Sequence, residues 1–143
     1  MAKEKKTPPS NLNKEKLRKL AYEAHLTAYA PYSHAHVGSA ILTSNGQFYS
    51  GCNVENGSFG ATICAERNAI GMMVRGSDTK IDTVYVYTKQ GWPPCGMCRQ
   101  VIKEFATQST TIIIGDEKGK EQVISFDEIY PHSFGPDDME ELS

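Results

Sequence analysis

The stretch Thr62-Ile63-Cys64-Ala65-Glu66-Arg67-Asn68-Ala69-Ile70, taken with Pro94-Cys95-Gly96-Met97-Cys98-Arg99-Gln100, constrains this chain more than any other feature. The first segment offers a thiol and, two residues on, a carboxylate. The second offers two thiols separated by two residues, behind a proline. Three cysteines so arranged can hold one Zn²⁺ through Cys64, Cys95 and Cys98 and leave its fourth position for water, with Glu66 placed to move protons.

Both segments read as helix openings. Free N–H groups and the positive end of the helix dipole favour thiolate over thiol, and thiolate is the form that binds zinc. Three thiolates overcompensate one Zn²⁺. Arg67, about one helical turn beyond Cys64, is the residue type to hydrogen-bond a thiolate and reduce that surplus. Arg99 stands in a similar relation to Cys98, or is a surface residue.

Other readings of the cysteines stay open at this level. Cys64 can be a small core hydrophobe. Cys95 and Cys98 can be a redox pair, which leaves Cys64 and Glu66 without a role. A purely structural zinc takes a fourth protein ligand, from Cys52 or a histidine. Cys52 reads as core, because Asn53 next to it on a strand faces the other way. Disulfides are not required, since a domain of 143 residues buries roughly two-thirds of its unfolded surface without staples.

Composition narrows the partners. A net charge of −2 argues against a large basic face, so no nucleic-acid partner is expected. Met1 to Ser10 is Lys-rich and polar, and no long apolar run follows. No signal peptide or membrane partner is therefore expected, and a cytoplasmic home, where thiols stay reduced, is.

Residues 1–10, with Lys3, Lys5, Lys6, Pro8 and Pro9, are expected to form a disordered leader, and residues 11–143 a single domain. From Asn11, residues Leu17, Leu20, Ala21, Ala24 and Ala28 make one helical apolar stripe, capped by Asn11 or Asn13 and ended by Pro31. Val37 to Leu42 and Gln47 to Val54 read as strands joined at Asn45-Gly46. A helix follows from Cys64, with Ala65, Ala69, Met72 and Met73 inward, closed at Gly76-Ser77-Asp78. Asp82 to Thr88 is a strand, and Cys95 opens a helix with Val101, Ile102 and Phe105 on its inner face. Thr110 to Ile114 is a strand buried on both faces, Glu121 to Ser125 an edge strand, and Phe126 to Tyr130 one helical turn. The order implies an α/β domain with helices packed on a mixed sheet.

Asn53 and Glu55 sit two apart at a strand end, so both side chains face one way. An amide and a carboxylate on one face suit a ribose hydroxyl. Without further information, Glu55 reads equally as a solvated charge.

Cys64-Ala65-Glu66 followed by Pro94-Cys95-Gly96-Met97-Cys98 matches the zinc nucleobase deaminase signature in its three-cysteine form. With Tyr29-Ala30-Pro31-Tyr32-Ser33, Val37-Gly38-Ser39-Ala40 and Gly51-Cys52-Asn53-Val54-Glu55-Asn56, the chain resembles the small homotetrameric cytidine deaminases over about residues 15 to 138. The resemblance implies a three-layer α/β/α fold on a mixed five-stranded sheet. It implies deamination of cytidine, and of 2′-deoxycytidine, in pyrimidine salvage, with one Zn²⁺ per subunit of a homotetramer.

By the same resemblance, Glu66 shuttles protons, the Ala65 N–H donates to the pyrimidine O2, and a carbonyl near Pro93 accepts from the amino group. Asn53 and Glu55 hold the ribose 3′-hydroxyl, and Phe134 stacks on the pyrimidine across a subunit boundary. Glu55 also repels phosphate, which favours a free nucleoside. One departure stands out. Before Val37-Gly38 the family usually has an aromatic residue lining the pocket, and this chain has Ala35 between His34 and His36. That departure admits a deaminase of another aminopyrimidine or modified cytidine as an alternative. A zinc-stabilised RNA-binding or editing protein is a second.

Overall fold

The computed structural model describes residues 8–140, so the expected leader lies outside the described residues as far as residue 7. Helix α1 (Asn11–Leu26) is capped by Ser10 rather than Asn11 or Asn13. The Ser10 hydroxyl accepts from the Asn13 N–H at 3.2 Å, the preferred geometry for a serine one residue outside a helix. The helix ends well before Pro31. At Thr27 both the backbone N–H and the hydroxyl bond to the Ala24 carbonyl, which closes the last turn locally. Ala28 therefore lies beyond the helix, and Tyr29 pairs with Val54 in an isolated bridge.

Strands β1 (Gly38–Thr43) and β2 (Phe48–Cys52) form the expected antiparallel hairpin. Gly46 turns it at φ +80°, in the left-handed region that glycine enters without steric cost. A single 3₁₀ turn (Phe59–Ala61) leads to α2 (Ala65–Arg75) and β3 (Ile81–Tyr87). Then come α3 (Gly96–Phe105), β4 (Ala106–Gly115), β5 (Glu121–Ser125) and two short helices, α4 (Phe126–Ile129) and α5 (Pro136–Glu140). The strands lie in the order β2-β1-β3-β4-β5. Only β3 and β4 run parallel, so the five-stranded sheet is mixed.

The alternation of side chains along each strand builds three layers. On one face Tyr85, Tyr87, Ala40 and Ile113 meet Leu17 and Ala21 of α1. On the other, Val84, Val86, Ile112 and Ile114 meet Ala69, Ile70 and Met73 of α2 and Ile102 of α3. Each fully buried Leu, Ile, Val or Met among them contributes about 1.5–3 kcal/mol relative to exposure. Met72, expected inward, is 56% exposed, and Ile70 takes its place at 4%. Ile70 and Met73 flank the Ala69 stripe at helical spacing, whereas Met72 lies about 100° around from Met73.

Two glycines let the helix layers settle on the sheet. A Cβ on Gly38 would sit 1.8 Å from the Ala21 carbonyl oxygen of α1. A Cβ on Gly51 would sit 2.5 Å from the Ala69 nitrogen and 2.9 Å from the Ala65 oxygen of α2. Close backbone approach of this kind is open only to glycine.

Candidate active site

Cys64 is the residue that precedes α2, and Cys95 the one that precedes α3. Both helices pack on the same face of the sheet, which brings their N-termini together. Cys98, in the first turn of α3, is fully buried. The three sulfur atoms lie within 4.8 Å of one another, and Cys64 Sγ is 3.8 Å from Cys95 Sγ. A tetrahedral zinc with Zn–S bonds of about 2.3 Å places its ligand sulfurs about 3.8 Å apart. The donor set fits the metal. Among the described residues this is the one group of three or more His, Cys, Asp or Glu so gathered. Cys52 stands outside it, and all four cysteines are free thiols. Three protein ligands is the count found in catalytic zinc sites, whereas structural sites take four.

The electrostatics suit a thiolate cluster. Hydrogen bonding from Cys98 is the largest influence holding the Cys64 thiol down, to about 5, and Arg67 and Cys95 add to it against the opposing effect of burial. The same contact with Cys64, with burial, pushes Cys98 far up. Sulfurs this close stabilise one thiolate at its neighbour's expense, a conflict that a divalent cation is suited to relieve. The Arg67 guanidinium donates through Nη2 to Cys64 Sγ at 3.6 Å and to the Thr62 carbonyl at 3.3 Å. Its Nε is buried without a partner. Arg99 behaves differently. It donates to the carbonyls of Pro94 at 2.9 Å and Ile129 at 2.7 Å, fastening the loop ahead of Cys95 instead of meeting a sulfur.

Glu66 lies in the first turn of α2 and is 3% exposed. Burial is the main influence raising its carboxyl above the ordinary range, and the Cys64 thiolate adds to it. Its own backbone N–H, the Cys98 thiol and Arg67 pull the other way. A carboxyl shifted up by burial holds a proton more readily than an exposed one, which suits a group that must both take and return it.

A cavity of 210 Å³ opens onto this group, lined by Cys64, Ala65, Glu66 and Cys95 at one end and by Ser33, Ala35, Asn53 and Glu55 at the other. The Ala65 N–H, at the start of α2, has no partner within its own helix. Asn53 and Glu55 do face one way, but toward the loop at residues 32–37. Asn53 accepts from the Val37 N–H at 2.8 Å and donates to the Ala35 carbonyl at 2.7 Å. Glu55 accepts from the Tyr32 and Ser33 N–H groups, at 2.9 and 3.1 Å, and from the Ser33 hydroxyl. The Ser33 hydroxyl is the main reason its carboxyl sits below the ordinary range.

Phe134 is not among the residues lining the cavity. It is 57% exposed, and its carbonyl accepts from the Gln100 amide at 3.0 Å. Ser33, Thr88 and Trp92 line the cavity without having been singled out from the sequence. For Thr88 a local signal exists: its hydroxyl accepts from the N–H groups of Gly91 and Trp92, the turn a threonine ahead of a glycine favours. Trp92, in a loop, offered no spacing to read.

Residues 12–114 match the family model described as the cytidine and deoxycytidylate deaminase zinc-binding region. The chain is 38% identical over 132 residues to a cytidine deaminase of Halalkalibacterium halodurans, covering 90% of this chain and 98% of that one. It is 43% identical over 110 residues to one of Mycoplasma genitalium, covering 75% and 84%. Among solved structures, the cytidine deaminase of Burkholderia pseudomallei superposes with a TM-score of 0.80 at 33% identity, over 84% of this chain and 98% of that one. The Mycobacterium tuberculosis enzyme does so with a TM-score of 0.76 at 31% identity, over 89% and 99%.

Proposed function

The chain belongs to the cytidine and deoxycytidylate deaminase family, and from that premise we propose that it hydrolyses cytidine, and 2′-deoxycytidine with it, to the uridine forms and ammonia. The observation that carries this reading is the gathering of three sulfurs at zinc-ligand spacing beside the buried carboxyl of Glu66. Cys64, Cys95 and Cys98 hold one Zn²⁺ per subunit. When bound in a site with an open position, zinc lowers the pKa of water and so supplies a nucleophile at neutral pH.

The rest of the chemistry falls to the protein. Glu66 takes the proton of the attacking water and delivers it to N3 as the C4–O bond forms. It then carries the proton of the new C4 hydroxyl to the C4 amino group, so that the C4–N bond breaks, the C4 carbonyl forms and ammonia leaves. The Ala65 N–H donates to the pyrimidine O2, and the carbonyl of Pro93, which lines the cavity, accepts from the amino group. Arg67 tempers the charge on Cys64. Asn53 and Glu55 form the sugar end of the pocket, holding the loop at residues 32–37 and offering the ribose 3′-hydroxyl an amide and a carboxylate.

The proposal extends to a single domain from residue 11 onward, a cytoplasmic home, a place in pyrimidine salvage and a homotetrameric assembly. No helix of the described residues is long and apolar enough to cross a membrane. Phe59, Met97 and Phe134 are more than half exposed on one chain, which suits burial between subunits. In that assembly Phe134 reaches the pocket of a neighbour. The test is an ammonia-release screen of the zinc-quantified enzyme over cytidine, 2′-deoxycytidine, other aminopyrimidine nucleosides and free cytosine, with the mass of the particle in solution. Cytidine turnover by a particle of four chains supports the proposal. Turnover of a different aminopyrimidine alone contradicts the assigned substrate.

A further inference from the structure

The loop between β3 and α3 carries Pro93, whose carbonyl the proposed reaction gives to the C4 amino group, and this loop is fixed at both ends. At its start stands Thr88, the residue after β3, which is 2% exposed and lines the cavity at the cysteines. Its backbone N–H donates to the Gly115 carbonyl at the end of β4, so the sheet holds it. Its hydroxyl oxygen accepts from the Gly91 and Trp92 N–H groups, each at 2.8 Å. At the other end the Pro94 carbonyl accepts from Arg99 Nε at 2.9 Å. Arg99 is itself tied to the Ile129 carbonyl at 2.7 Å.

Between these anchors lies Pro93. Residues 93 and 94 are both proline, so φ is fixed at each and neither has an N–H to draw the chain elsewhere. A residue ahead of a proline is held extended, which applies to Trp92 and to Pro93. The Pro93 carbonyl makes no hydrogen bond among the described residues. Pro93 lines the cavity together with Thr88, Trp92 and Cys95. The result is an unengaged acceptor whose direction is set by the two anchors and not by contacts of its own.

An acceptor of fixed direction distinguishes the two bases that the reaction interconverts. Cytosine presents an N–H donor at C4 and is bonded. Uracil presents an oxygen there, which meets the Pro93 oxygen lone pair to lone pair. A carbonyl free to turn away loses both effects at once: it gives up the bond to the amine and relieves the opposition to the product. Rigidity of the loop thus turns one hydrogen bond into a preference for substrate over product.

We propose that the Thr88 hydroxyl, with Arg99 at the far end, positions the Pro93 carbonyl so that it discriminates a C4 amine from a C4 carbonyl. Thr88 acts through Pro93 and is a positioning residue. This role rests on the deaminase reading for the identity of the amine, and the test separates the two.

Affinities for cytidine and for uridine are measured by calorimetry on the zinc-loaded full chain carrying Glu66→Gln, in which turnover of cytidine is suppressed. Turnover by the chain with Glu66 intact is followed alongside. Thr88→Val and Thr88→Ala are then added in turn. Both remove the oxygen that accepts from Gly91 and Trp92; the first keeps the branched volume, and the second serves if the apolar branch disturbs the fold. In either, the ratio of the uridine to the cytidine dissociation constant is expected to fall about threefold to tenfold, the range of one neutral hydrogen bond. Cytidine is bound more weakly and uridine is not. Thr88→Ser keeps the hydroxyl and is expected to restore the ratio. Zinc stays bound, since Pro94, next to Cys95, keeps its tie to Arg99. A parallel weakening of both nucleosides with the ratio unchanged, as a merely structural role would give, overturns the proposal. So does the absence of any preference for cytidine over uridine in the parent chain. A Thr88-dependent preference in binding without cytidine turnover by the chain with Glu66 intact overturns the deaminase reading and leaves the positioning role standing.

Discussion

Gly51 of β2 and Ala69 of α2 are in backbone contact: a Cβ on Gly51 would lie 2.5 Å from the Ala69 nitrogen. That contact sets the height of α2 above the sheet, and with it the positions of Cys64, Ala65 and Glu66 at the helix start.

Gly51→Ala lifts the first turn of α2. The expected cost is about 1–3 kcal/mol of stability, as for other overpacked interiors, measured by denaturant unfolding of the zinc-loaded protein. Zinc is held less tightly and kcat falls, because Cys64 and Glu66 move relative to Cys95 and Cys98. A variant of full stability and activity contradicts this account of how the helix is placed.

Among the described residues, Arg67 is the one side chain that donates to a ligand sulfur from outside the cysteine set. Arg67→Ala is expected to weaken zinc binding about 10–100-fold, the usual effect of losing an outer hydrogen bond to a metal ligand. Competition with a chromogenic chelator measures it. Arg67→Lys restores only part of the loss, since the ammonium of a lysine ends one atom short of Nη2, the nitrogen that makes both bonds. Unchanged zinc affinity in both variants contradicts the role.

Glu55 makes a pH-dependent contribution. Its carboxyl is held below the ordinary range, chiefly by the Ser33 hydroxyl, so folding favours its ionised form. The contribution is present above the unfolded carboxylate value of about 4.3 and is lost as pH falls through the lower folded value. The difference in unfolding midpoint between the native protein and Glu55→Gln is therefore expected at pH 7 and shrinks in acid. A difference that stays constant with pH contradicts the assignment. At neutral pH the same variant raises the KM for cytidine, because the loop at residues 32–37 is released at the sugar end.

The gathering of Cys64, Cys95 and Cys98 at the start of two helices, beside Glu66, was legible because its signal is local. Ligand spacing, a proline ahead of Cys95 and a helix opening at each segment all fall within a few residues. The strands and their mixed pairing were legible from alternation and turn residues, and the edge position of β5 held. What was missed depended on distant partners. Strand β4 begins at Ala106, earlier than its apolar run, because Ala106 pairs with Ile81. The choice between Met72 and Ile70 as a core residue depends on where the sheet lies around α2. Glu55 is bound by Ser33, a partner 22 residues away, which no spacing rule connects.

The central claim, that a zinc held by Cys64, Cys95 and Cys98 works with proton transfer by Glu66, is tested most directly by Glu66→Gln. The measurement is uridine formation from cytidine together with zinc per chain. The amide is nearly isosteric and Glu66 is not one of the three gathered ligands, so one zinc per chain and the native fold are expected to remain. The rate is expected to fall by at least the ~10²–10⁴-fold that general acid–base catalysis supplies in a single role, and further if both proton transfers depend on Glu66. A zinc-replete Glu66→Gln enzyme turning over cytidine at a near-normal rate contradicts the mechanism.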